Sequence, residues 1–197
     1  MSRKSHGFTI VELMVVIAVI VILAAIAIVS YTNVQRQARN TSIGHNVQAW
    51  VRLLNVMYTR QGALSVTLAP GDHTICLGSK SQYPAVPGKF DEGQCYYKGH
   101  TSDALEAAVA KIGSAGMETF TTTGGGVVFR GLQYGFDAAE TGTRTPIIWF
   151  ELVGANENCG AIALGAKTSV YDTDNNNDTA CYIDIREQLG GDPIVVS

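Results

Sequence analysis

Residues 7–29 read GFTIVELMVVIAVIVILAAIAIV and contain one charged side chain, Glu12. Every residue from Leu13 to Val29 is apolar. As an α-helix, the stretch from Ile10 to Tyr31 would be about 33 Å long, enough to cross a hydrocarbon core of about 30 Å. The sequence therefore predicts a membrane-spanning helix over residues 10–31.

The carboxylate of Glu12 is the unusual feature of this helix. An unpaired ionisable side chain inside a spanning helix costs roughly 2.5–3.5 kcal/mol, so it usually has a partner and a function. A secretory signal peptide would explain Arg3 and Lys4, but its apolar core is shorter and has no place for a glutamate. A plain membrane anchor remains open. The positive-inside rule does not decide the orientation, because Arg36 and Arg39 offset Arg3 and Lys4.

The residues around Glu12 resemble a known signal. A short basic leader ends in Gly7, followed by Phe8, Thr9 and the glutamate at the head of a long apolar helix. This pattern resembles the class III signal of type IV pilins, which the pseudopilins of type II secretion share. The resemblance covers the first sixth of the chain, through about Tyr31. It implies that a prepilin peptidase removes the leader 1–7 between Gly7 and Phe8, that the new amine is N-methylated, and that the helix becomes a filament core.

The resemblance also implies a role for Glu12 in subunit alignment. Glu12 lies four residues after Phe8, on the same helix face, so its carboxylate can pair with the Phe8 amine of its own chain. In the filament, the resemblance implies a pair with the Phe8 amine of a neighbour. An unmatched buried charge is penalised, which selects the register in which subunits add. Val21 and Val29 replace the glycine and proline common in pilin helices, so local unwinding is less favoured here.

Apolar residues recur at spacings of three and four beyond Tyr31, which predicts one helix over residues 8–62. Gly44 allows a bend, and Gly62 is the predicted stop. Residues 63–197 are the predicted globular head. The fold class is α+β, a long N-terminal helical spine with an antiparallel β-sheet head, and the resemblance implies the pilin fold.

Within the head, a short helix is predicted at Asp103 to Ile112, because Ser102 and Asp103 are good caps and Gly113 follows. Short connections between the predicted strands suggest a meander lying across the spine. The predicted strands are Val127 to Arg130, Gln133 to Phe136, Pro146 to Leu152, Cys159 to Leu164 and Cys181 to Ile185.

All four cysteines fall in the head, and an even number beyond an apolar segment indicates disulfides formed in an oxidising compartment. Three connectivities are open. We favour Cys76–Cys95 and Cys159–Cys181, because each pair closes a short, loop-rich stretch. Four reduced, buried thiols are the alternative.

Charge is divided along the chain. No acid occurs from Leu13 to Gly71, whereas the chain from Asp72 onward carries 16 acidic and 8 basic residues. This acidic head indicates no specific nucleic-acid partner. We hypothesise that Arg36 or Arg39 pairs with an acidic head residue of another subunit, against the alternative of a solvated face at the membrane exit.

An acidic loop near the end of the chain suggests a calcium site, the one cofactor the sequence raises. Oxygen side chains alternate as in calcium-binding loops, at Asp172, Asp174, Asn176 and Asp178. Ile183 stands where the bidentate glutamate is expected, so Glu157 or Asp184 would have to substitute. The alternative is a solvated turn.

We find no sequence motif for catalysis, so the chain is expected not to be an enzyme. The resemblance implies a structural subunit of a type IV pilus, inserted in the cytoplasmic membrane and then polymerised with itself into an extracellular filament, with cell adhesion among its roles. Its implied partners are the prepilin peptidase, an inner-membrane assembly platform and its ATPase. A pseudopilin or minor pilin, and a bitopic membrane protein with a ligand-binding head, are the alternatives.

Overall fold

The structure is a computed structural model, and it describes residues 9–66, 74–96, 99–113, 121–124, 127–137, 145–169 and 178–196. The chain divides into two compact units, with the boundary between Ala38 and Arg39. One helix, α1, runs from Ile10 to Gln61 and contributes to both.

Helix α1 is continuous through Gly44, so the helix does not break there. The predicted stop is confirmed, because Gly62 follows the last helical residue with a φ of 77° and donates its N–H to Tyr58 O at 2.9 Å. Glycine suits this position because it adopts left-handed backbone geometry without a steric penalty.

In the first unit, α1 exposes its apolar side chains all around the helix. Ile10 is 76% exposed and Leu23 is 60% exposed. By length and composition, α1 is the one helix among the described residues that could cross a membrane. A helix that is apolar on every side is stable only when lipid or other protein surrounds it.

In the second unit, α1 is amphipathic and contributes one face to the core of the head. The side chains of this face recur at spacings of three and four, as the sequence predicts. They are Ile43, Val47, Trp50, Val51, Leu54 and Met57, each less than 9% exposed.

A six-stranded sheet forms the centre of the head. Its strands are β2 (Thr74–Leu77), β3 (His100–Thr101), β6 (Leu132–Asp137), β7 (Thr145–Val153), β8 (Lys167–Thr168) and β9 (Asp178–Asp184). Their order across the sheet is β3-β2-β6-β7-β9-β8. All neighbours are antiparallel except β2 and β3, which are parallel. The predicted meander therefore holds only for the pairs β6–β7 and β8–β9, whose strands are consecutive in sequence and antiparallel.

The two faces of this sheet differ in chemistry. Ile148, Phe150 and Leu152 of β7 belong to the same apolar core as α1. The alternating residues Ile147 and Glu151 are also buried, at 2% and 4% exposure. A second hairpin, β4 (Thr121–Gly124) with β5 (Val127–Arg130), has its first strand close to β7 and β9.

The head is completed by a separate pair of strands and by short helices. Strand β1 (Leu64–Val66) runs parallel to β10 (Ile194–Val196). Helix α2 spans Asp103–Ala110, with the Ser102 hydroxyl accepting the Leu105 N–H at 3.3 Å, which confirms the predicted cap.

The predicted strand at Cys159 to Leu164 is wrong, because Cys159–Ile162 forms the short helix α3. Its Asn158 cap accepts the Ala161 N–H at 3.1 Å, a local bond that favours a helical turn. Short apolar runs do not distinguish strand from helix by pattern. Helix α4 (Ile185–Leu189) follows β9, whose last residue is Asp184 rather than the predicted Ile185.

Candidate functional site

The N-terminal end of α1 holds Glu12 in a capping box with Thr9. Glu12 Oε2 accepts the Thr9 backbone N–H at 2.9 Å and the Thr9 hydroxyl at 2.8 Å. In return, the Thr9 hydroxyl oxygen accepts the Glu12 N–H at 3.2 Å. Both residues are exposed in the single chain. The carboxylate is therefore held beside the helix terminus through one oxygen, while Oε1 takes part in none of these bonds.

Thr9 was not predicted as a partner of Glu12, although Thr-x-x-Glu before an apolar run is a recognised start signal for a helix. The predicted processing residues, Gly7 and Phe8, lie outside the described residues. Their role stays a prediction, as does the alignment role of Glu12.

Asn40 is a buried polar residue that joins α1 to the sheet. It is 1% exposed. Its amide donates to Val153 O at 3.0 Å, and its carbonyl accepts the Val153 N–H at 2.9 Å. The side chain thus replaces a neighbouring strand at the end of β7. The hydrophobic periodicity of α1 does not predict that Asn40 is buried, because its side chain is polar.

Gly44 lies where residues 159–166, called here the α3 segment because they contain α3, pack against α1. A β-carbon at this position would overlap the carbonyl oxygen of Ile162. One turn further along α1, Gln48 donates to Leu164 O at 3.1 Å. Together these contacts fix the segment 159–166 to the helix. Leu164, at the tip of the segment, is 79% exposed.

The two disulfides join Cys76 to Cys95 and Cys159 to Cys181, which are the pairs favoured by the sequence analysis. All four cysteines are buried, at 2% exposure or less. The first bond ties β2 to the loop before β3, and the second ties α3 to β9. Closing loops of about 20 residues contributes roughly 3 kcal/mol each by restricting the unfolded chain.

Arg130, the last residue of β5, is a buried cation that contacts the loop 80–96. It is 5% exposed, and its Nη1 donates to Gln94 O at 3.3 Å. Its guanidinium carbon lies 5.1 Å from the centre of the Phe90 ring and 5.8 Å from that of Tyr83. Burial lowers the pKa of Arg130 and raises the pKa of Tyr83. The aromatic rings stabilise a charge that is partly removed from water, so the cluster holds the loop in place.

Of the proposed calcium ligands, Asp172, Asp174 and Asn176 lie outside the described residues. Asp178 begins β9, and its Oδ1 accepts the Gly154 N–H at 3.2 Å. Among the described residues, no group of three or more His, Cys, Asp or Glu side chains is placed to hold a metal. The calcium site therefore stays a prediction.

The two residues considered as substitutes for the missing bidentate ligand are placed differently. Glu157 lies next to the start of β9, since its N–H donates to the Thr179 hydroxyl at 2.8 Å. Asp184 lies at the other end of that strand and caps α4, accepting the Arg186 N–H at 2.9 Å. Glu157 is therefore near Asp178, and Asp184 is not.

Arg36 and Arg39 are exposed on α1. Their pairing with another subunit stays a prediction.

Comparison with known proteins identifies the N-terminal segment only. Residues 2–28 match the prokaryotic N-terminal methylation motif, the class III prepilin signal of type IV pilins and pseudopilins. No curated protein and no solved structure matches the chain. The motif covers the leader, the capping box and most of the apolar half of α1.

Proposed function

We propose that the chain is a structural subunit of a type IV pilus or pilus-like filament. It is made as a prepilin, cut between Gly7 and Phe8 by a prepilin peptidase, N-methylated on Phe8, and polymerised through α1. The methylation motif points to a structural subunit of this kind and not to an enzyme.

The observation that carries the proposal is that α1 is one unbroken helix whose two halves have different surroundings. One face of residues 40–61 of α1 packs within the core of the head. In contrast, the apolar side chains of residues 10–28 remain exposed in the single chain. The prepilin signal lies at the start of the exposed half. Before assembly, lipid would surround this half, which fits a membrane-inserted precursor. In a filament, the same half of other copies would replace the lipid.

The filament would lie outside the cell, where disulfides persist, and this agrees with two buried cystine bridges in the head. The further partners are an inner-membrane assembly platform and its ATPase.

The decisive experiment is mass spectrometry of the mature protein, combined with electron microscopy of filaments labelled by antibody to the head. An N-methyl-Phe8 terminus together with labelled surface filaments supports the proposal. Gly7→Val serves as the matched control, because a bulky residue at the cut site should leave the leader attached. A terminus that retains the leader in the natural chain would contradict the proposal and favour the bitopic membrane protein. N-methyl-Phe8 in short filaments confined to the periplasm would favour the pseudopilin.

A further inference from the structure

The second half of α1 presents a basic face that the head leaves uncovered. Arg52 and Arg60 are exposed. They lie two turns apart on the side of the helix away from Val47 and Leu54, which are fully buried. The sequence from Leu13 to Gly71 has no acid, so the one acid of α1 is Glu12, 40 residues before Arg52. In the part of the chain that the structure describes, neither arginine forms an ion pair.

Two acids of the head are likewise exposed without a partner for their carboxylates. They are Asp91 and Asp103, for which the described residues provide neither a hydrogen bond to the carboxylate nor an ion pair. They belong to one region, because the Thr101 N–H donates to Gly93 O at 2.9 Å and ties the two segments together.

The neighbouring acids have contacts within the chain. Glu92 lies 3.9 Å from Lys80 Nζ, and Glu106 accepts the Lys80 N–H at 3.4 Å. Other acids of the head also have partners: Glu187 with Lys167, Asp192 with Arg186, and Asp178 and Asp184 with backbone N–H groups. Among the acids in the part of the head that the structure describes, Asp91 and Asp103 are therefore well placed to meet a cation from outside the chain.

We propose that Arg52 and Arg60 of one copy contact Asp91 and Asp103 of a second copy. This inference rests on the filament function proposed above. An open helical filament requires a heterologous contact, in which two different surfaces of each copy fit one another. The basic face of α1 and the acidic region around Asp91 and Asp103 are such a complementary pair. Exposed ion pairs add little affinity. The main effect of the contact is instead to set the orientation of the incoming copy, because misaligned packing would bring like charges together or leave charges without partners.

Cysteine cross-linking tests the contact directly. The four natural cysteines are all in disulfides, so introduced cysteines would be the free thiols of the chain. The double variant Arg52→Cys with Asp103→Cys should give a ladder of multimers on a non-reducing gel, because each copy then carries both halves of the contact. Either single variant should stop at dimers. Arg52→Cys with Glu187→Cys is the matched control and should give no ladder.

Charge reversal provides the second test. Arg52→Glu should lower the sheared filament yield about fivefold, which corresponds to about 1 kcal/mol per subunit contact. Adding Asp103→Arg should restore the yield, whereas Lys111→Glu, which reverses an exposed cation at the other end of α2 from Asp103, should leave it unchanged. Immunoblots of the membrane fraction show whether each variant accumulates normally.

The outcomes separate the two proposals. Normal filaments from the natural chain, with no ladder from the cysteine pair and no effect of Arg52→Glu, would overturn the contact alone. A cross-link within a single chain would also overturn it. If the natural chain keeps its leader and forms no filaments, the proposed function itself fails.

Discussion

At the scale of single residues, Glu12 caps α1, and its predicted role in subunit alignment would require a second partner for the same carboxylate. Its Oε2 accepts two bonds from Thr9, which satisfies polar groups that a helix terminus would otherwise leave unpaired. The N–H and hydroxyl of Thr9 would remain after the proposed cut, so the cap can persist in the mature chain. The carboxylate would then be held near the Phe8 amine of its own chain or of a neighbour.

We expect Glu12→Leu to impair filament assembly while leaving cleavage at Gly7–Phe8 and membrane insertion largely intact. The reason is that leucine keeps the helix apolar but removes the carboxylate, which is the one acidic side chain in the sequence before Asp72 and would pair with the new amine. Immunoblots for processing and counts of sheared filaments provide the measurement. Glu12→Gln is the matched control for the cap, since it keeps an acceptor without the charge. Normal numbers of purely mutant filaments from Glu12→Leu would contradict the prediction.

Gly44 shows that a glycine in a helix can be required by its neighbour. We expect Gly44→Ala to destabilise the head by about 1–3 kcal/mol, because the new methyl group meets the Ile162 carbonyl oxygen in a packed interface. Denaturant unfolding of the full chain in detergent, followed by tryptophan fluorescence, measures the change. Asn55→Ala on the exposed face of α1 controls for helix propensity. Unchanged or increased stability in Gly44→Ala would show that the α3 segment moves freely away from α1.

At the scale of elements, the segment between β7 and β9 is the part of the head that sequence patterns describe least well. It contains α3 and the two-residue strand β8, and the Cys159–Cys181 bond closes it. Its contacts with α1 come from Gln48 and from the backbone around Gly44. Such contacts use main-chain atoms and a small residue, which leave no hydrophobic period in the sequence.

The same segment carries the calcium prediction. If Asp172, Asp174, Asn176 and Asp178 bind the ion with help from Glu157, calcium should raise the melting temperature of the full chain and a chelator should lower it. Differential scanning calorimetry with calcium, magnesium or chelator measures the shift. Glu157→Gln should abolish the calcium effect, whereas Asp184→Asn should not, since Asp184 caps α4. Equal melting temperatures with calcium and chelator would identify the loop as a solvated turn.

At the scale of the whole molecule, the division of charge between α1 and the head is the main electrostatic feature. Replacing Arg36 and Arg39 with glutamine should leave the head folded but make filaments shorter or more sensitive to salt, because repeated contacts between subunits lose opposite charges. Filament length at low and high ionic strength is the measurement. Replacing Lys89 and Lys111 with glutamine is the matched control, because it removes two exposed cations that lie off α1. This control should keep the filament length and salt response of the natural chain. Assembly like that of the natural chain at every salt concentration would leave Arg36 and Arg39 as markers of the membrane exit.

Much of this architecture follows from the sequence alone. The periodic stripe of α1, its stop at Gly62, helix α2 and strands β5, β6 and β7 were predictable, because each has a strong hydrophobic pattern or a good cap. Strands β1, β3, β8 and β10 are two or three residues long, too short for an alternating pattern to reveal them, and β1 and β10 pair with each other from opposite ends of the head sequence. Asn40 escaped prediction for a related reason, since its partner lies 113 residues away.

The order of the cysteine pairs has a consequence for export. If α1 stays in the membrane and the head crosses it from residue 63 onward, Cys76 emerges before Cys95, and Cys159 emerges before Cys181. Each cysteine that is waiting for a partner therefore meets its native one next. An oxidase acting on the emerging chain would form both native bonds without a disulfide isomerase. The head would then acquire its cross-links in the sequence in which it is delivered.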